Sequence, residues 1–267
     1  MQALDLQTRE TNYANRLIDM MMQELPDELE VRRIETGLNR LRQEPGSDLA
    51  TCYQAISLAR VLRMNREGAL DAARNAMRMR PVSPAVNINL ITTFLNLGEI
   101  DDAARVADRC RRGFKGDLHL LTAVLLAYVH AFRFEDALAV CYEGTELLAH
   151  APGFNACRFE AKAVEDLMRL RDEHGYTAEM LNEIFYVAIA VLVEAGAGPL
   201  RFSRSAVPDG TFVHHFHVNR SAEECAAFGW TIAERLVERS RKTGAEVMSL
   251  ACLPVTTYSN LQKDSAT

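Results

Sequence analysis

Apolar residues recur at helical spacing through most of the chain, and between about Ala50 and Ala149 the pattern repeats itself. Ala69, Ala103 and Ala137 are separated by two steps of 34 residues. Each follows acidic or turn-forming residues (Arg66-Glu67-Gly68, Asp101-Asp102, Glu135-Asp136) and precedes a helical apolar pattern. A fixed period of this length marks a unit that cannot bury its apolar face alone and stacks on its neighbours. A small residue at the repeating position lets the second helix of a hairpin lie close against the first. The spacing therefore predicts three helical hairpins. Helices are also expected over about 4–24 and 28–43, divided by Pro26-Asp27, with Glu44-Pro45-Gly46-Ser47 breaking the pattern after them. Two more are expected downstream: 155–173, ended by Gly175, and 178–194, capped by Thr177 and ended by Gly196. The last is apolar nearly all round, which predicts burial on several sides.

At Gly196-Ala197-Gly198-Pro199 the helical period gives way to alternation. Residues 200–207 and 211–218 read as strands joined by the turn tripeptide Pro208-Asp209-Gly210. If Val207 faces Thr211, then Phe202 faces Phe216 and Leu200 faces Val218 on one side. Arg201 then opposes His217, and Ser203 opposes His215, on the other. Ser221-Ala222-Glu223-Glu224 is a capping box opening a helix to about residue 242, with Gly244 as its stop. Residues 246–255 read as a mostly buried strand, and the polar end from Thr257 as loose. The expected fold class is mainly α: an α-helical hairpin solenoid over 1–199, a small α+β (ββαβ) module over 200–256 and a flexible tail over 257–267.

The repeats resemble tetratricopeptide repeats. With Ala69 at that repeat's second-helix alanine, Tyr53 falls at the large aromatic position, Ile56 and Ser57 at the leucine-small pair, Ala76 at the later small site and Pro81 at the closing proline. Leu90, Phe94 and Gly98 match in the second unit; Val124, Tyr128 and Ala137 match in the third. The inter-helix glycine has no counterpart in the flanking units, where Met64 and Phe132 stand, and the closing proline gives way to Lys115 and Ala149. The resemblance implies a concave groove lined by the first helix of each hairpin, which takes an extended peptide or a helix. Its lining here would be Gln54, Leu58 and Leu62, then Ile88, Thr92, Leu95 and Asn96, then His119, Thr122, Leu126 and His130. The basic clamp with which family members grip a terminal carboxylate is missing, since Leu58, Asn89, His119 and Ala123 occupy several of its positions. The alternative for these residues is burial under a capping helix folded into the groove, for which 184–193 is the candidate.

Composition narrows the classes. With 267 residues, 48% hydrophobic and 25% charged, the chain is globular. Its longest apolar stretch, 184–193, is about half the roughly 20 residues of a membrane span, and its start lacks the basic and apolar regions of a secretory signal. A cytoplasmic protein is expected, without membrane partners. The six cysteines are scattered without a CxxC pair and read as reduced, buried thiols. Net charge is −6, yet residues 60–115 carry +5, leaving −11 elsewhere. Within that segment Arg105, Arg109, Arg111, Arg112 and Lys115 form a basic run, which reads either as a solvated outer face or as a patch for nucleic acid.

Candidate chemistry centres on the second strand. Arg201, Ser203, His215 and His217 share a polar strand face, and histidines two apart can ligate a metal, but no third ligand is assured beside them; Glu223 or Glu224 would have to approach. The bland reading is an exposed, solvated face, with His214 a structural histidine on the apolar side. No GxSxG elbow or phosphate loop occurs, so no cofactor, metal or catalytic residue is expected. The leading expectation is a non-enzymatic adaptor or regulator that binds a partner protein's peptide or helix in the repeat groove, with a homodimer through the C-terminal module as a further partner. A nucleic-acid-associated regulator using 60–115 is the alternative, and a metal-dependent hydrolase using the histidine-rich strand the second.

Overall fold

The computed structural model describes residues 8–21, 26–113, 116–149, 161–206, 212–239 and 247–255. The described residues are mainly α, with a small sheet near the C-terminus. Among the described residues ten helices precede the sheet: α1 (Arg9–Met21), α2 (Glu28–Leu41), α3 (Leu49–Leu62), α4 (Arg66–Arg78), α5 (Pro84–Asn96), α6 (Ile100–Gly113), α7 (Leu118–His130), α8 (Phe134–Ala149), α9 (Ala161–Glu173) and α10 (Ala178–Glu194). Then come β1 (Arg201–Ala206), β2 (Phe212–Val218), α11 (Ala222–Arg239) and β3 (Met248–Pro254). The turn tripeptide at 208–210, Lys115, Cys157 and the tail lie outside the described residues.

Helix starts follow the caps in the sequence. Asp27, Asp48, Asn65, Asp117 and Thr177 each accept a backbone N–H from the first turn of the helix they precede. Ser221 and Glu224 form the reciprocal capping box of α11: Glu224 N donates to Ser221 Oγ at 3.2 Å and Ser221 N to Glu224 Oε2 at 2.9 Å.

Helix ends hold a finding the sequence hides. Met64, Gly98 and Phe132, 34 residues apart, all adopt left-handed backbone, with φ of 57°, 74° and 54°. The next N–H in each case reaches back to a carbonyl five residues earlier: Asn65 to Arg60 at 2.9 Å, Glu99 to Phe94 at 2.8 Å, Arg133 to Tyr128 at 2.9 Å. The inter-helix glycine thus has two conformational counterparts, contrary to the reading by residue type. The turn repeats as geometry even where its residue does not.

The three sites differ in what surrounds them. A Cβ on Gly98 would meet Ile189 Cγ2 at 2.5 Å, so α10 can lie against this turn only because glycine stands there. Gly98→Ala is expected to lose about 1–3 kcal/mol through overpacking and left-handed strain. Met64 is 49% exposed, so Met64→Gly removes strain and little packing, and a gain of about 1 kcal/mol is expected. Urea midpoints for the two variants moving the same way would contradict this.

Packing is consecutive. Each helix from α1 to α5 touches the next, as do α5 to α9, and the first helices α1, α3, α5 and α7 also lie side by side. This is compatible with a helical repeat. The period-marking Ala69, Ala103 and Ala137 are all fully buried, as small residues at a close helix contact should be. One apolar cluster runs from Val61 to Met248, through the hairpins, α10 and the sheet.

The sheet order is β1-β2-β3, with β1 and β2 antiparallel and β2 and β3 parallel. Phe202 pairs with Phe216, Arg201 with His217 and Ser203 with His215, the register expected from alternation. Phe202, His214 and Phe216 meet α10 at Phe185, whose ring centroid lies 5.0 Å from that of Phe216 and 4.8 Å from that of His214. α10 does not fill the groove. It runs along the hairpin turns, where Tyr186 Oη accepts the Asp101 N–H (3.2 Å) and Asn182 Nδ2 donates to the Ala131 carbonyl (3.0 Å).

Among the described residues, no single helix is long and apolar enough to cross a membrane. α9 and α10 reach the required length and composition only together, and they bend by 100° at their junction. The apolar side chains of α10 are spent on the shared core.

Candidate functional site

Five of the eleven expected groove residues form one accessible strip, and one residue outside that set aligns with them across the repeat. On α5, Ala85 and Thr92 are exposed and Ile88 is half-buried; on α7, His119 and Leu126 are exposed and Thr122 is half-buried. Each α7 position lies 34 residues beyond its α5 counterpart. Because α5 and α7 lie side by side, the three rows form a continuous band. Ala85 was missed by the residue-type reading, although one period back from His119 leads to it.

The band is bounded on two sides. The corresponding residues of α3, Thr51, Gln54 and Leu58, are 6%, 1% and 2% exposed, because α1 packs over them with Ala14 and Leu17. The expectation of a cover therefore holds for the first hairpin, but the cover is α1. Neither end of the Gln54 amide meets a hydrogen-bond partner among the described residues, an expensive burial. Towards the C-terminal ends of the first helices, Leu95, Asn96 and His130 are buried and Leu62 half-buried. There Leu200 N donates to the Asn96 carbonyl at 2.8 Å, and the ring centroids of Phe202 and His130 are 4.8 Å apart.

The open band carries methyl, hydroxyl, imidazole and leucine groups, with Leu126 40% exposed. It offers an uncharged, mixed apolar and hydrogen-bonding surface two helices wide. That suits a peptide side chain or a helix face more than a phosphate or a carboxylate.

The basic run is divided between contacts within α6 and contacts to other helices. Arg109 bridges two helices, donating to the Met77 carbonyl (2.9 Å) and to Asn87 Oδ1 (2.7 Å). Arg105 pairs with Asp102, Arg111 reaches Asp136 at 3.6 Å, and Arg112 Nε donates to the Asp108 carbonyl at 3.2 Å. Asp108 itself accepts both Arg133 and the Tyr128 hydroxyl, and these hydrogen bonds outweigh burial and hold its carboxyl below the usual range. Arg109 and Arg111 thus tie α6 to other helices, while Arg105 and Arg112 bond within α6; Lys115 lies outside the described residues.

The polar strand face is more closed than expected. His217 is fully buried, while Arg201, Ser203 and His215 are half-buried. Ser203 Oγ and His217 Nε2 lie 2.7 Å apart, a diagonal cross-strand hydrogen bond. Burial pushes the His217 imidazole down to about 4, with the neighbouring His215 acting the same way and a hydrogen bond to the Pro254 carbonyl opposing it. The ring and the serine hydroxyl are joined away from solvent, as a structural tie would be. The Arg201 guanidinium turns away to the Met21 carbonyl at the end of α1.

His215 and His217 do share a face, with ring centroids 6.1 Å apart. Among the described residues no group of three or more histidine, cysteine, aspartate or glutamate side chains is placed to hold a metal ion. Glu224, one proposed third ligand, caps its own helix instead. On the opposite face His214 is buried among Phe132, Phe185 and Phe216, the structural position expected for it. Its neighbour His130 is held down to about 3 by burial and by the Arg204 charge, against a 2.7 Å hydrogen bond with the Leu126 carbonyl.

Compared with protein-family models, with curated proteins and with solved structures, the chain matches none.

Proposed function

We propose that the protein is a tetratricopeptide-like helical solenoid that acts as a cytoplasmic adaptor or regulator, holding a segment of a partner protein along the band on α5 and α7 and performing no chemistry of its own. The observation that carries this reading is the alignment of accessible rows Ala85 with His119, Ile88 with Thr122, and Thr92 with Leu126. Helix surfaces that repeat with the fold, lie side by side and stay open while the equivalent α3 row is covered have the form of a peptide-binding groove. The lack of charge among these six side chains, His119 apart, favours a largely uncharged, partly apolar segment.

The test is selection from a displayed random-peptide library on the purified full chain. Recovered peptides are expected to lose at least about tenfold in affinity with Thr92→Arg or Leu126→Arg, roughly 1.4 kcal/mol or more. Both positions are exposed, so the fold should survive. Arg112→Glu, at an exposed position of α6, should leave binding unchanged. A selection that returns no binder, or binders indifferent to Leu126→Arg, would sink the proposal.

A further inference from the structure

The second helix face without a partner lies in the C-terminal module. α11 buries Cys225, Ile232 and Leu236 against α10 and β3, the ordinary inner stripe of an amphipathic helix. Its outer side is apolar as well. Ala226, Trp230, Ala233 and Val237 follow one another at steps of four, three and four, which places them on one line along the helix, and all four are exposed. Trp230, the single tryptophan of the chain, is 73% exposed and Val237 is 71% exposed. Large apolar groups so far into water, in line, are the mark of an interaction surface.

We infer that α11 is a self-association surface, through which two copies of the protein pair as antiparallel helices about a two-fold axis. Two features of the stripe select a second copy as the occupant. The first is shape. A two-fold axis between Trp230 and Ala233 sets Trp230 of each copy against Ala233 of the other, and Val237 against Ala226. Every layer then matches a large residue with a small one, whereas a parallel pairing would set tryptophan against tryptophan and leave the alanine layers empty.

The second is charge. The first turn of α11 is acidic, with Glu223 and Glu224, and its last turn carries Arg239. Antiparallel pairing brings each acidic start beside the other copy's Arg239, which Glu238 adjoins, and opposes the two helix dipoles favourably; parallel pairing sets the two acidic first turns side by side. The expectation of a homodimer through this module named no surface for the contact. The exposed helix stripe places that contact on α11 and stands apart from the groove reading.

An interface of two 18-residue helices is small, below about 1,200 Å2, in the range of transient contacts. Association in the micromolar range is therefore expected. The full chain should shift from monomer to dimer in sedimentation velocity as concentration rises, with the Trp230 emission moving to shorter wavelength over the same range. Trp230→Ala should weaken dimerisation by at least about tenfold. The exchanged variant Trp230→Ala with Ala233→Trp keeps a large residue opposite a small one and should restore it. Since these positions are exposed, circular dichroism should be unchanged in each.

A chain that stays monomeric throughout overturns the inference, as does a dimer untouched by Trp230→Ala or an exchange that fails to restore association. Tryptophan emission already at short wavelength in the monomer would point instead to a cover from within the same chain and would equally overturn it. Peptide selection on the Trp230→Ala protein keeps the two proposals separable, because the α5 and α7 band is unaltered in it.

Discussion

Replacing Phe185 by alanine is expected to remove about 3–5 kcal/mol of stability, a large share of what holds an ordinary domain folded. Phe185 is fully buried in α10 and stands at the centre of a ring cluster: Phe132 at 5.6 Å, Phe202 at 5.8 Å, His214 at 4.8 Å and Phe216 at 5.0 Å between centroids. These rings come from the α7–α8 turn, β1 and β2, so one side chain joins the hairpins to the sheet. Its loss opens a cavity and breaks several ring contacts worth about 0.5–1.5 kcal/mol each. Urea unfolding gives the magnitude. Hydrogen exchange should show amides of β1 and β2 losing protection while those of α3 and α4, remote from the cluster, keep theirs. A loss below about 1 kcal/mol would mean that the cluster closes around the gap and that α10 is not the joint described.

Acidification is expected to have the second large effect. His130 is buried and neutral in the folded protein, its imidazole held down to about 3, while in the unfolded chain it titrates near 6.5. Between these values the unfolded state binds the extra proton. Stability is therefore unaffected by this group above about pH 6.5 and falls as pH drops towards 3. At about pH 4.5 the loss from His130 alone is roughly 2–3 kcal/mol. Burial also lowers His214 well below its ordinary value and His217 to about 4, so both act in the same direction. Free energies of unfolding measured from pH 7 downwards should fall with a slope of more than one proton. His130→Phe, which places a ring among Phe185 and Phe202, should reduce that slope by about one proton whatever it does to stability at pH 7. A slope unchanged by this replacement would show that His130 does not titrate as a buried group.

Local chemistry was readable from the chain. Alternation in 200–207 and 211–218 predicts the observed pairing of Phe202 with Phe216, because a slip of one residue would turn every apolar side chain to the wrong face. Thr177 and Gly196 bracket a helix at 178–194, where α10 is found. Less readable were features set by neighbours distant in sequence. The left-handed turns at Met64 and Phe132 carry no glycine to announce them; the packed hairpin imposes the geometry and absorbs its strain. His217 looked exposed because its strand face is polar, yet it is sealed. Periodicity marked the band on α5 and α7, but only packing shows that α1 covers its α3 counterpart while the rest stays open. The arginine run told of charge and not of destination, since the groups that Arg109 and Arg111 meet lie on other helices.

The approach to β1 meets three helix ends in three residues and shares a cavity with a fourth. Pro199 and Leu200 line a small cavity with Val61 and Met64 at the end of α3, the Leu200 N–H bonds the last carbonyl of α5, Arg201 reaches the last carbonyl of α1, and Phe202 meets the last ring of α7. Stacked hairpins that touch only their neighbours behave as a spring, each joint free to flex a little and the small rotations adding along the stack. A segment tied to the ends of α1, α5 and α7 acts as a rigid bar along that spring. It fixes the pitch, so the band on α5 and α7 keeps one width; on the function proposed above, a bound segment would have to fit the spacing it finds instead of drawing the repeats together.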